Sequence, residues 1–290
     1  MQSSCGAHQE PFGYTRAAVK LLEFLNGEAE VDGAWRFRLS RRLNGAFGGT
    51  NGGVIAAAAL AVSRHAAPGR VPAALDARFL RGLGTGTSRI VPSVLHQGRT
   101  LSCVTLDVLD ERGRLCTRAT VSLVAPEALE RFDAPGDAPA PAGWTAHAEG
   151  RPWPRPAPPV EIPLLESFDP RVVGRDERGS ATSVRIPFDE PGRLAEAACI
   201  AADIAVGPPV GRAVAGRAPI PHPNPDLSLR FSGDGDPLPE LVGCGRLEQI
   251  RGGLAQTRIE VWCGERLCAI GVSSSTLLAG AWPGAAPAEV

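Results

Sequence analysis

Two stretches of the chain alternate apolar and polar residues on either side of a short polar turn. Residues 98–125 read GRTLSCVTLDVLDERGRLCTRATVSLVA, and residues 252–279 read GGLAQTRIEVWCGERLCAIGVSSSTLLA. A period of two predicts, in each, a pair of long antiparallel strands joined by a hairpin. The triplet Arg-Leu-Cys recurs in register, at Arg114–Cys116 and Arg266–Cys268. The likeness extends upstream. Strand-like Ala74–Gly82 matches Pro225–Gly233, and each follows an alanine-rich helix, Asn51–His65 or Arg193–Gly207. A further strand precedes each helix, Ala34–Leu43 and Ala181–Phe188. Near the start, Val19, Leu22 and Leu25 fall on one face of a short amphipathic helix, Thr15–Asn26.

The pattern is therefore an internal duplication. Each half reads strand, small-residue helix, then three or more antiparallel strands. Residues 133–160 are too proline-rich for regular helix or a central strand. Residues 1–130 form the first half with its leading helix, 131–160 a linker, and 161–290 the second half. Both helices are apolar all round, unlike a surface helix with one apolar stripe. Ala and Gly side chains let a curled sheet wrap closely around each helix. Edge-to-edge pairing of the two sheets would then remove exposed strand edges. The expected class is α+β: two curled antiparallel sheets, each wrapped around a central small-residue helix.

Composition narrows the function classes. A formal net charge of -1 over 290 residues supplies no basic field for nucleic acid or anionic lipid. Seven cysteines, an odd number with no C-x-x-C pair, suit a reduced cytoplasmic protein without structural zinc. The N-terminal residues lack a signal-type apolar core. The run Gly52–Val62 is too short to span a bilayer. The five histidines show no metal-ligand spacing, and no G-x-S-x-G elbow is present.

One residue breaks the apolar pattern. In ACIAADIAVG, residues 198–207, Asp203 is a carboxylate inside a helix expected to be buried. Desolvating an unpaired carboxylate costs several kcal/mol or raises its pKa. Asp203 is either paired for structural reasons or faces a cavity where its charge is used. The glycine-rich run FGGTNGG, Phe47–Gly53, opens the first helix and lets a ligand approach the backbone closely. It lacks the lysine of a phosphate loop.

In order and spacing, LLEFLN, NGAFGGTNGGVIAAAALA, ARFLRG and APEALERF, followed by AADIAVGP, NPDLSLRF and GERLCAIGVSSSTLL, resemble the double hotdog acyl-CoA thioesterases of the thioesterase II type. The likeness spans roughly Thr15–Leu278. It implies a tandem hotdog fold and hydrolysis of acyl thioesters by water, without metal, cofactor or covalent intermediate, CoA being part of the substrate. In that family an Asp on the second helix, a Thr or Ser on the next strand and a Gln on the last strand hold the water. Those positions fall on Asp203, Asn224 and Ser273, the last two departing from the usual types. Asn224 and Ser273 can still hydrogen-bond a water, and Ser228, Ser274 or Gln256 could substitute.

The resemblance makes Asp203 a general base, with backbone N–H groups at the start of the first helix holding the developing oxyanion. Gly48, Gly49, Asn51, Arg81, Arg99 and Ser228 are the candidate substrate-binding residues; the arginines suit CoA phosphates. The partner is a small acyl thioester, carried on CoA or a carrier protein, in lipid metabolism. Neither nucleic acid nor membrane is expected as a partner, and family members often form homo-oligomers. Two alternatives stay open: a degenerate double hotdog that binds an acyl or polyketide-like ligand without cleaving it, and an enzyme acting on such a ligand in a biosynthetic step.

Overall fold

The computed structural model describes residues 19–130, 132, 143–153, 161–216, 220–233 and 235–279. In chain order the first half holds α1 (Leu21–Phe24), β1 (Gly27–Ala29), β2 (Trp35–Leu39), α2 (Gly52–Ala66), β3 (Val71–Phe79), β4 (Gly86–Gln97), β5 (Leu101–Asp110) and β6 (Leu115–Val124). The second holds β7 (Arg151–Pro152), α3 (Leu164–Phe168), β8 (Arg171–Arg175), β9 (Gly179–Arg185), α4 (Leu194–Ala213), β10 (Asp226–Phe231), β11 (Glu240–Arg251), β12 (Leu254–Cys263) and β13 (Arg266–Thr276).

The strands form one continuous 13-stranded antiparallel sheet, in the order β1-β2-β4-β5-β6-β3-β10-β13-β12-β11-β9-β8-β7. Read outward from the centre, β3-β6-β5-β4-β2 repeats as β10-β13-β12-β11-β9, so the duplication seen in the sequence is a duplication of topology. The halves join where β3 pairs with β10, Asp76 lying opposite Ser228. The expected two sheets are thus one, because edge pairing at this seam satisfies both free edges. Both hairpins form as the alternation predicts, β5–β6 and β12–β13.

Asn51 caps α2, its side-chain oxygen accepting from the Val54 N–H at 3.2 Å. From Gly53 to Ser63 every residue of α2 is buried. α4 is buried from Leu194 to Val206. It has the length and apolarity of a membrane span, but 83% of that window is buried inside the protein, as in a core helix. Small residues set the contacts of α4. A Cβ on Gly53 would lie 2.5 Å from the Cys199 carbonyl oxygen, so α2 reaches α4 only with glycine there. On the other side, a Cβ on Gly245 of β11 would fall 2.1 Å from the Ala205 oxygen.

α4 runs on to Ala213, past the Gly207 end that the sequence suggests, through Pro208 and Pro209. The prolines lack N–H groups and leave the carbonyls of Ile204 and Ala205 without their helical donors. Burial keeps the last turns in place: Val210 is fully buried, and Pro209 lies against Gly245. The leading helix shortens to Leu21–Phe24, with residues 15–18 outside the described residues. Within the linker, residues 131, 133–142 and 154–160 also lie outside them. Its described part, 143–153, contributes a 3₁₀ turn at His147–Glu149 and the edge strand β7, the place in a sheet that tolerates proline.

Replacing Gly245 with Ala drives a Cβ into the Ala205 carbonyl, and overpacking of this kind costs about 1–3 kcal/mol. Urea denaturation is expected to show that loss. Gly84→Ala, where a Cβ meets nothing within 4 Å, is expected to stay within about 0.5 kcal/mol of the parent.

Candidate active site

Asp203 lies at the contact of the two halves. The Asn51 Nδ2 donates to its Oδ2 at 2.5 Å, and the Asn224 Nδ2 donates to its Oδ1 at 2.6 Å. Gly52 and Gly53 pack against the same side chain, and their N–H groups help to stabilise its charge. Each donor has a local reason to be there. Asn51 is held by its capping bond, Gly52 and Gly53 are the first residues of α2, and Asn224 lies in the extended approach to β10. The first turn of α2 is then fully accounted for. The Gly52 and Gly53 N–H groups face Asp203, Val54 donates to the Asn51 side chain, and Ile55 donates to the Asn51 carbonyl. The positive end of the helix dipole thus faces a carboxylate.

Burial dominates the ionisation of Asp203, which is 8% exposed, and pushes its carboxyl above the usual carboxylate range. The Asn224 amide, the Gly53 N–H, the Asn51 amide and the Gly52 N–H oppose that push. A second charge cluster ties the helices together further along. The buried Glu196 pairs with Arg64 of α2 at 2.8 Å and with Arg193 at 3.0 Å.

Asp203 borders a cavity of about 790 Å³ lined from both halves. Ile55, Phe79, Leu83, Ile162, Leu164 and Ile204 give it a largely apolar wall, while Asn51, Asn224, Thr50 and Thr276 add polar groups near the carboxylate. The Phe79 ring packs on Gly52, where a Cβ would lie 2.7 Å from its Cζ. An apolar slot with a few convergent polar groups suits an acyl chain with a reactive polar end.

Of the residues singled out from the sequence, Asp203, Asn224, Asn51, Gly49 and Arg81 line this cavity. The others do not. Ser273 is buried, and its hydroxyl donates to the Asp226 carbonyl at 2.7 Å, so that bond, not the cavity, takes the hydroxyl. Ser228 lies between the inward-facing Leu227 and Leu229, which turns its side chain to the other face of β10. Arg99 is exposed in the β4–β5 turn. The Gly48 carbonyl accepts from the Asn44 side chain. Gln256 is exposed and bonds Gln249; the Ser274 N–H donates to the Asp226 carboxylate. The α2 amides expected to face an oxyanion face Asp203 instead.

Sequence reasoning missed Thr276, Phe79, Trp153 and Arg212, which all line the cavity. Only Thr276 carried a usable signal, the SSST run of β13. A Ser–His–Asp chain also forms, unannounced by sequence spacing. His147 Nδ1 and Ser183 Oγ lie 2.9 Å apart, and His147 Nε2 is 3.2 Å from an Asp169 oxygen. Ser183 is 2% exposed and none of the three lines the cavity, so the chain fastens residues 143–150 onto β9.

Residues 41–124 match the family model of the acyl-CoA thioesterase N-terminal domain. Solved structures resemble the chain over most of its length. A protein from Novosphingobium aromaticivorans described as a candidate thioesterase superposes with a TM-score of 0.74 at 23% identity, covering 87% of this chain and 98% of its own. The tesB protein of Mycobacterium avium subsp. paratuberculosis gives 0.70 at 17%, over 89% and 98%. A hot dog fold protein of unknown function from Alicyclobacillus acidocaldarius gives 0.65 at 21%, over 86% and 94%. No curated protein sequence matches. The fold is thus of the hotdog class. The family match itself covers residues 41–124, within the first half of the chain.

Asn51→Asp keeps a capping oxygen but places a second carboxylate against Asp203. The folded pair then holds a proton that the unfolded chain releases, so stability falls as pH rises through the raised pKa. The variant is expected to unfold at lower urea than the parent at neutral pH, with the gap narrowing on acidification. A pH series of urea titrations measures it.

Proposed function

We propose that this chain hydrolyses acyl-CoA or related acyl thioesters in the cavity beside Asp203, and that its halves are two fused hotdog units. The observation that carries the reading is a single buried carboxylate, with a raised pKa, on the wall of a large apolar cavity at the seam between the halves. The acyl chain lies along the apolar wall, with its carbonyl toward Asp203. Asp203 takes a proton from water as the water attacks the thioester carbon. The tetrahedral adduct then breaks its C–S bond, the leaving sulfur takes the proton from Asp203, and carboxylic acid and thiol depart with no covalent enzyme intermediate.

Because Gly52 and Gly53 already face the carboxylate, the oxyanion needs another donor. Asn224 suits that role: one of its two amide hydrogens goes to Asp203, and the second is available to the oxyanion or the water. Arg81 lies at the cavity wall, with one N–H donated to the Leu115 carbonyl. It suits a CoA phosphate or a carrier-protein arm. The free thiols among the described residues fit a reducing, cytoplasmic setting.

One observation favours the binding-only alternative. A carboxylate offers about four acceptor sites; Asn51 and Asn224 each donate to one Asp203 oxygen, and the Gly52 and Gly53 N–H groups face the same carboxylate. In hydrolysis, a water must find a place among these groups. In the alternative, Asp203 is a permanent clasp and the cavity only holds a ligand.

A thiol-trapping assay with acyl-CoAs of graded length separates the two. Hydrolysis predicts that kcat/KM rises with pH through one ionisation above the ordinary carboxylate range, as the base loses its proton. It also predicts that Asp203→Asn lowers kcat about 10²–10⁴-fold. Full thiol release by Asp203→Asn, or none by the parent, would exclude this mechanism.

A further inference from the structure

The cavity has a second polar end. It follows α4 from Asp203 to Arg212, about 13 Å along the helix axis. There Arg175 of β8 and Ser180 of β9 are direct cross-strand partners, so their side chains share a face. Both border the cavity, as do Trp153 and Arg212.

Ser180 is 5% exposed, and its buried hydroxyl has no hydrogen-bond partner among the described residues. The buried Trp153 indole N–H has none either. Arg212 gives one N–H to the Gly179 carbonyl at 2.8 Å and keeps other donors. The acids nearby are Asp176, whose carboxylate accepts from the Arg178 and Gly179 N–H groups and also feels Arg212, and Glu260, which borders a smaller cavity with Arg175 and Ser180. His222 packs against Gly211 on the opposite side. A hydroxyl, an indole N–H and two guanidinium groups thus border one end of an apolar cavity. Buried donors almost always find acceptors, and the described residues supply none to Ser180 or Trp153.

We infer that this end of the cavity, toward Arg212 and away from Asp203, binds an anionic group of the substrate, held by Arg175, Ser180, Arg212 and Trp153. Two parts of an acyl-CoA carry such a group: the distal carboxylate of a dicarboxylic acyl chain, and the phosphates of CoA. The inference rests on the reading that Asp203 marks the reacting end.

Arg175→Ala and Ser180→Ala test it. Arg175 is exposed, and deleting a hydroxyl that has no partner leaves the fold intact, so losses in either variant report on ligand. The substrates are decanoyl and sebacoyl thioesters, each on CoA and on N-acetylcysteamine, which lacks phosphates. For substrates carrying the recognised group, kcat/KM is expected to fall about tenfold in Arg175→Ala and in the same direction in Ser180→Ala. A loss confined to both sebacoyl esters assigns the site to the acyl carboxylate. A loss confined to both CoA esters assigns it to the phosphates. Unchanged kinetics on all four substrates, or an equal loss that includes neutral decanoyl-N-acetylcysteamine, overturns the inference. If the parent releases no thiol from any of them, the hydrolytic reading has failed, and calorimetric titration with sebacate and with CoA decides the subsite by itself. Binding that weakens about tenfold in Arg175→Ala sustains it; absence of binding to the parent overturns it.

Discussion

A buried carboxylate at the seam between the two halves is the constraint around which this molecule is arranged. Asp203 comes from the second half, while three of the residues that stabilise it, Asn51, Gly52 and Gly53, come from the first. A desolvated carboxylate is costly unless hydrogen-bonded, so its burial requires that the start of α2 meet the middle of α4. That contact exists only because Gly52 and Gly53 have no side chains: a Cβ on either would fall within 3 Å of Asp203 atoms. The sheet seam between β3 and β10 and the Arg64–Glu196–Arg193 cluster then hold the same arrangement from the strand side and from the far end of α2.

The same constraint shapes the chemistry. The positive end of α2 would ordinarily be the natural place for an oxyanion. Here it stabilises the negative charge of Asp203, working against the burial that raises the carboxyl's pKa. The bonds that ease the burial of this charge also restrain the carboxylate. Whether a water enters among the groups around it separates an enzyme from a binding protein on one fold.

Packing with small residues has two consequences. Glycine and alanine let α2, α4 and β11 approach closely enough to bury both helices, which leaves little room between helix and sheet near Gly245. The free volume lies instead between the halves, where Phe79, Ile162 and Leu164 supply an apolar wall. Polar groups gather near both Asp203 and Arg212, so this slot has chemically distinct ends rather than being uniformly greasy.

Local patterning was enough to determine the duplication, the hairpins, the two buried helices and the oddity of Asp203. These depend on periods of two and on runs of small residues, which are properties of neighbours in the chain. The end of α4 was not legible, because Pro208 and Pro209 are helix breakers locally and are overruled by burial against Gly245. Much of the site was not legible either. Asn51 reads as a candidate substrate-binding residue, and only folding brings its amide to Asp203. Ser273 matched by position but donates to the Asp226 carbonyl, a bond between β13 and the start of β10 that no spacing announces. Trp153, Ser180 and Arg212 lie far apart in sequence and meet through the curl of the sheet around α4. Strand alternation and helix character follow from nearby residues, but which polar atoms are left without partners depends on contacts across the whole chain, and those are decided by the tertiary structure alone.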